Sequence, residues 1–105
     1  MELVLLESPY KGNIEKNLEY ARACMRDCFM RGEAPFASHL LYTQDGILDD
    51  SILIERKKGI EAGLLWGTHA GKTVVYTDLG ISDGMKKGIK RAKKEKKKVE
   101  SRTLT

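Results

Sequence analysis

Apolar residues crowd the start of the chain: Glu2 to Glu7 reads Glu-Leu-Val-Leu-Leu-Glu, and the run ends at Ser8-Pro9-Tyr10-Lys11-Gly12-Asn13. A short Leu and Val run bounded by turn residues predicts a buried strand entering a loop. Beyond the loop the period changes. Ile14, Leu18, Ala21, Met25 and Phe29 recur at intervals of four, three, four and four. That spacing predicts a helix with Asn13 as N-cap, Glu15 and Glu19 near the positive end of its dipole, and Gly32 as its stop. Ala34-Pro35-Phe36-Ala37-Ser38 predicts a brief second strand, with proline at its start, where a missing amide donor is tolerated.

His39 to Leu48 reads as an irregular segment turning at Gln44-Asp45-Gly46. A second helix is expected from about Asp50 to Trp66, capped by Asp49 or Asp50. Gly59 and Gly63, four apart, weaken it and imply a face that another backbone approaches closely. Thr73 to Thr77 has the β-branched and aromatic content of a strand, with Asp78 at its carboxyl end and Gly80 to Gly84 as the next loop. A third helix over Asp83 to Lys94 puts Met85, Ile89 and Ala92 on one face, and a last strand is expected near Val99 to Leu104. The β-α-β-α-β-α-β order predicts an α/β, Rossmann-like three-layer sandwich. Its four-stranded parallel sheet should run in the order 2-1-3-4, with right-handed crossovers and three helices over its two faces. With 105 residues, residues 1–105 are expected to form a single domain.

Charge sharpens this picture. The formal net charge is +4, but Lys86 to Lys98 holds nine basic residues and one acid, Glu95, so the rest of the chain is acidic. The basic block reads as a solvated helix face, as a contact for nucleic acid, or as a contact for another acidic partner. No aromatic residue is interleaved with the lysines, so specific nucleic-acid recognition is not expected. The longest apolar run, Leu3 to Leu6, is far short of a membrane span, and no signal peptide opens the sequence, so neither membrane insertion nor secretion is expected. Cys24 and Cys28 sit at helical spacing and fit core packing in a reducing, cytoplasmic setting. No metal site or cofactor is expected.

In a sheet of this order, ligands bind beyond the carboxyl ends of the strands, where strand order reverses. Two glycine-containing loops fall there: Ser8 to Asn13 and Gly80 to Gly84. Each leads into a helix N-terminus, whose free amides and dipole favour a phosphate or carboxylate. Either loop could also be an ordinary turn. His39 could line the pocket as donor or acid, or serve as a hydrogen-bonded structural residue. Asp49 and Asp50 read as caps or as ligand contacts, and Tyr42 and Trp66 as core, subunit interface or base-stacking platforms.

Several segments together resemble the nucleoside 2-deoxyribosyltransferase-like superfamily, and most closely a small uncharacterised branch found in phage and bacterial genomes. They are Leu5 to Asn13, Pro35 to Tyr42, Glu55-Arg56 and Ile81-Ser82-Asp83-Gly84-Met85. The resemblance implies a nucleotide, nucleoside or nucleotide-derived ligand, a Rossmann-like fold and, as is frequent in the family, a dimer or larger homo-oligomer. By position, Ser82, Gly84 and Met85 would hold a phosphate, while Ser8, Tyr10 and Gly12 would contact the ligand from the first loop. Asp78 falls where relatives place polar contacts to base or ribose. Relatives that cleave N-glycosidic bonds use a glutamate four residues beyond the glycine of the second motif, and here that position is Gly88. A glycine is no nucleophile. Glu7, where the family commonly has a small residue, could contact ribose, pair with Lys11 or a backbone amide, or replace the missing carboxylate. Three functions follow: a nucleotide-binding protein that sequesters its ligand without turnover, an N-glycosidase or deoxyribosyltransferase with a relocated carboxylate, and an adaptor working through the basic helix.

Overall fold

A computed structural model describes residues 1–105. The elements run β1 (Glu2–Glu7), α1 (Ile14–Met30), β2 (Glu33–Phe36), α2 (Ser38–Leu41), α3 (Leu53–Gly67), β3 (Lys72–Tyr76), α4 (Asp83–Lys94) and β4 (Lys98–Arg102). All strand pairs are parallel, in the order β2-β1-β3-β4, so the expected sheet and its 2-1-3-4 order are present. Leu5 pairs with Phe36 on one side and Thr73 on the other, which sets β1 at the centre. Its carboxyl end, Glu7-Ser8, therefore opens where strand order reverses.

Because side chains alternate across a strand, β1 and β3 feed both faces of the sheet. Val4, Leu6, Val74 and Tyr76 meet Tyr20, Cys24 and Cys28 of α1 in one buried cluster. Both cysteines are free and fully buried there. Leu5 faces the opposite way, onto Gly67 of α3, and Glu7 shares that face with Gly88 of α4.

Three local expectations need correction. The buried face of α1 comprises Asn17, Tyr20, Ala21, Cys24 and Cys28, whereas Ile14 and Phe29 are exposed. Asn17 donates to the Tyr10 and Lys11 carbonyls, and Tyr20 bonds Asp78, so polar anchors rotate the helix away from the apolar stripe. The segment read as irregular opens with a helical turn, α2, which brings the helix count to four. Finally, α3 starts at Leu53 with Ile52 in the cap position. Asp49 instead closes a turn, accepting from the Ser51 amide at 3.0 Å and its hydroxyl at 2.6 Å.

Gly59 and Gly63 do allow a close approach, and so does Gly67, but what packs on them is side chains rather than the backbone expected. A Cβ at Gly63 would lie 2.8 Å from the Ser38 Cβ, one at Gly67 would lie 3.0 Å from Leu5, and one at Gly59 would lie 3.3 Å from Leu48. The Ser38 Cβ is fixed to its backbone and has nowhere to go. Gly63→Ala is thus expected to cost about 1–3 kcal/mol of stability by overpacking, despite a helix-propensity gain of roughly 1 kcal/mol. Urea unfolding would measure it, and an unchanged or raised midpoint would contradict the tight seam.

Candidate functional site

A cavity of about 370 Å³ opens at the carboxyl end of β1. The strand end and following loop contribute Glu7, Ser8, Tyr10 and Lys11; α2 contributes Ser38 and His39. From α3 come Arg56, Ile60 and Leu64, and from the start of α4 come Ser82, Gly84, Met85, Lys87 and Gly88. The sequence motifs thus converge on one space. A groove between the two glycine loops shares Lys11 and Ser82 with it.

The α4 N-terminus is capped by its own serine. Ser82 Oγ accepts from the Met85 amide at 3.3 Å, and the Ser82 amide donates to Met85 Sδ at 3.3 Å. The Met85 amide expected to meet an anion is therefore already engaged, and its side chain is buried. The Asp83 and Gly84 amides precede the first intrahelical bond and are the free donors of this end. A Cβ at Gly84 would meet nothing nearer than Ser82 Oγ at 3.9 Å, so the space above it is open to the cavity.

Glu7 is the unusual group. Burial without a compensating partner pushes its carboxyl up to about 8, so it carries a proton at neutral pH. Of the alternatives open to it, pairing with Lys11 is not formed. Its carboxyl oxygen instead occupies the space that a side chain at Gly88 would need. Next to it, Ser8 Oγ lies 2.6 Å from His39 Nε2, and burial pulls His39 down to about 4, leaving it neutral. An acid holding its proton and a base lacking one thus sit at the end of the same strand.

Two expected site residues lie elsewhere. Asp78 does not line the cavity: it accepts from Tyr20 Oη at 2.5 Å, from the Leu104 amide at 3.0 Å and from Thr105 Oγ1 at 3.1 Å. These bonds tie the chain beyond β4 to α1, and they hold the Asp78 carboxyl below its usual range. Gly12 shapes the first loop with φ +102° and also stays out of the cavity wall. Tyr42 and Trp66 do not stack on the cavity either. Trp66 donates to Tyr42 Oη at 2.9 Å, lies over Phe36 with ring centroids 5.1 Å apart, and is 53% exposed, which excludes a core role.

The cations were the least legible part. Lys11 and Lys87 line the cavity without a carboxylate partner, and Arg56 reaches only Asp50, at 4.0 Å. Lys87 was hidden in the basic block, although its place beside Gly88 in the early turns of α4 is a usable signal.

Comparison with solved structures finds the 2-deoxyribosyltransferase of the psychrotolerant bacterium Bacillus psychrosaccharolyticus, described as a biocatalyst for the synthesis of antiviral and antitumoral nucleosides. The two share 18% identity with a TM-score of 0.64, over 98% of this chain and 73% of that one. The fold is accordingly a nucleoside 2-deoxyribosyltransferase-like, Rossmann-like one. No curated protein matches the sequence. A family model described as a domain of unknown function, DUF7768, matches residues 2–102, and the chain belongs to that family.

Proposed function

We propose that the cavity binds a nucleotide or nucleotide-derived small molecule, with its phosphate at the start of α4. The observation that carries this reading is the meeting of a capped helix N-terminus with Lys11, Arg56 and Lys87 around one cavity. Helix amides and dipole favour an anion, and the cations add point charges at the same end. Ile60 and Leu64 supply an apolar wall suited to a base. The exposed lysines of α4 raise the local concentration of anions without reading sequence. Exposed Leu53, Ile54 and Leu65 on α3 support self-association as part of the same reading.

Sequestration without turnover is supported by Gly88, which offers no reactive group. Cleavage of the N-glycosidic bond is the second reading, and the Glu7 carboxyl lying over Gly88 is what favours it.

Binding is tested with a panel of nucleoside mono-, di- and triphosphates by calorimetry, with mass spectrometry of the recovered ligand. Aspartate also caps helices well, so Ser82→Asp keeps α4 while placing a negative charge where phosphate belongs. Its affinity is expected to fall ~1000-fold if water is excluded, and about fivefold if the site is open. Tyr10→Ala should weaken binding as well. Unchanged affinity in both folded variants would remove the assignment.

A further inference from the structure

The geometry points to Glu7 and the Ser8–His39 pair as the general acid and general base of a direct hydrolysis, one that cleaves the N-glycosidic bond of the bound nucleotide without a covalent glycosyl–enzyme intermediate. The inference rests on the nucleotide reading of the cavity.

Three placements carry it. Glu7 and Ser8 are consecutive residues at the end of β1, and both line the cavity, so acid and base share one rigid support. The Ser8 hydroxyl is within 2.6 Å of His39 Nε2, which is hydrogen-bond reach between a hydroxyl and its base. The Glu7 carboxyl is packed against the bare backbone of Gly88, half-buried in the cavity wall and without a cation partner, and this desolvation favours its neutral form. Such a carboxyl holds its proton. It is then a poor nucleophile and a good donor, which argues for a single displacement by water.

In that step the oxygen of a water molecule bonds to the anomeric carbon as the carbon–nitrogen bond breaks. The proton of that water passes to Ser8 Oγ while the Ser8 hydroxyl proton moves to His39 Nε2. The electron pair of the broken bond leaves on the base nitrogen, which takes the proton of Glu7. Sugar phosphate and free base are the products. The imidazolium then loses its proton to solvent and the Glu7 carboxylate regains one, so no oxidant, reductant or further reactant is needed.

The charged and titratable groups facing the pair come from every wall. Tyr10 and Lys11 belong to the first loop, Asp50 and Arg56 to α3 and its lead-in, and Asp83 and Lys87 to α4. Glu7 titrates at about 8 and His39 at about 4. Activity should therefore be flat between those values, falling below pH 4 as His39 gains a proton and above pH 8 as Glu7 loses one.

The test follows base release from purine and pyrimidine nucleoside and deoxynucleoside 5′-monophosphates by chromatography, with a second free nucleobase present as acceptor. Calorimetry on the same samples reports nucleotide binding. Free base should appear without transfer to the acceptor. Glu7→Gln, which mimics the protonated acid, should lose roughly 100- to 10,000-fold in rate and keep its affinity. His39→Asn should fall by a similar factor, and Ser8→Ala serves as the second base variant should His39→Asn not fold. Binding without base release would overturn this inference and leave the nucleotide reading standing. Absence of both would remove the two together. Transfer to the acceptor base, or full activity in Glu7→Gln, would overturn the single displacement.

Discussion

Replacing Arg102 with Met is expected to lower the free energy of unfolding by about 3–5 kcal/mol at neutral pH, the range for breaking one side of a buried ion pair. The Arg102 guanidinium grips Glu33 with both nitrogens, at 2.7 and 2.6 Å, and donates to Tyr76 Oη at 3.2 Å, beneath α1. Glu100 closes the outer side at 2.5 Å. Removing the guanidinium strands the Glu33 carboxylate in the interior, with only Lys72, at 3.0 Å, to answer it. Glu33→Gln combined with Arg102→Met should therefore cost less than the two separate losses added. The pair also sets an acid limit. Arg102 holds the Glu33 carboxyl down at about 2, below its ordinary 4.5. A depressed carboxyl stabilises fully above 4.5 and loses that contribution as pH falls through 2. The parent should weaken steeply over that window and Arg102→Met less so, as chemical denaturation at stepped pH would record. Equal slopes would show that the pair contributes nothing.

A second coupling is expected at Gly88. Alanine there should turn the Glu7 carboxyl away into the cavity, because the two claim one volume and the carboxyl is the movable end of a flexible side chain, so the net change in stability stays within about 1 kcal/mol. Elsewhere in a helix the same exchange gains about 1 kcal/mol. With Glu7→Ala already in place, Gly88→Ala should show that gain in full, a coupling of up to about 1 kcal/mol between two positions that are distant in sequence. Gly88→Glu in the Glu7→Ala background would return a carboxyl to the cavity from the helix side. Additive effects of the Glu7 and Gly88 exchanges would show that the two do not share space.

These two sites mark the limit of what was legible beforehand. The sheet order followed from the alternation of a Leu and Val strand, helical spacing and a β-branched strand, because each element carries its own period. The two loops at β1 and α4 were legible as well, since Pro, Gly and Ser at strand ends mark turns wherever they occur. The partners of Arg102 were not, because Glu33 precedes it by 69 positions and neither residue belongs to a local pattern. The same holds for Ser8 and His39, and for Glu7 over Gly88. The Asp78 position illustrates the converse. A polar residue at a strand end resembles a ligand contact, yet Tyr20 and the chain beyond β4 claim it. Which partner claims a side chain is decided by packing, which a one-dimensional pattern does not encode.

The glycine seam of α3 has a thermodynamic consequence for the cavity. Two interior glycines, Gly59 and Gly63, give up about 2 kcal/mol of intrinsic helix preference relative to alanine, and Ile52 offers no side-chain cap. Detached from the sheet, this segment has little reason to stay coiled, so its order is borrowed from the dock against Leu5, Ser38 and Leu48. In the language of amide exchange, α3 is expected to open as a separate unit with a lower ceiling than the central strands. It is also the element that carries Arg56, Ile60 and Leu64 into the cavity. A ligand that touches them only when the helix is docked adds about 2.7 kcal/mol to the opening energy at a concentration 100 times its dissociation constant. Capture of the ligand and ordering of this wall are then one equilibrium, and the site is completed by what it holds.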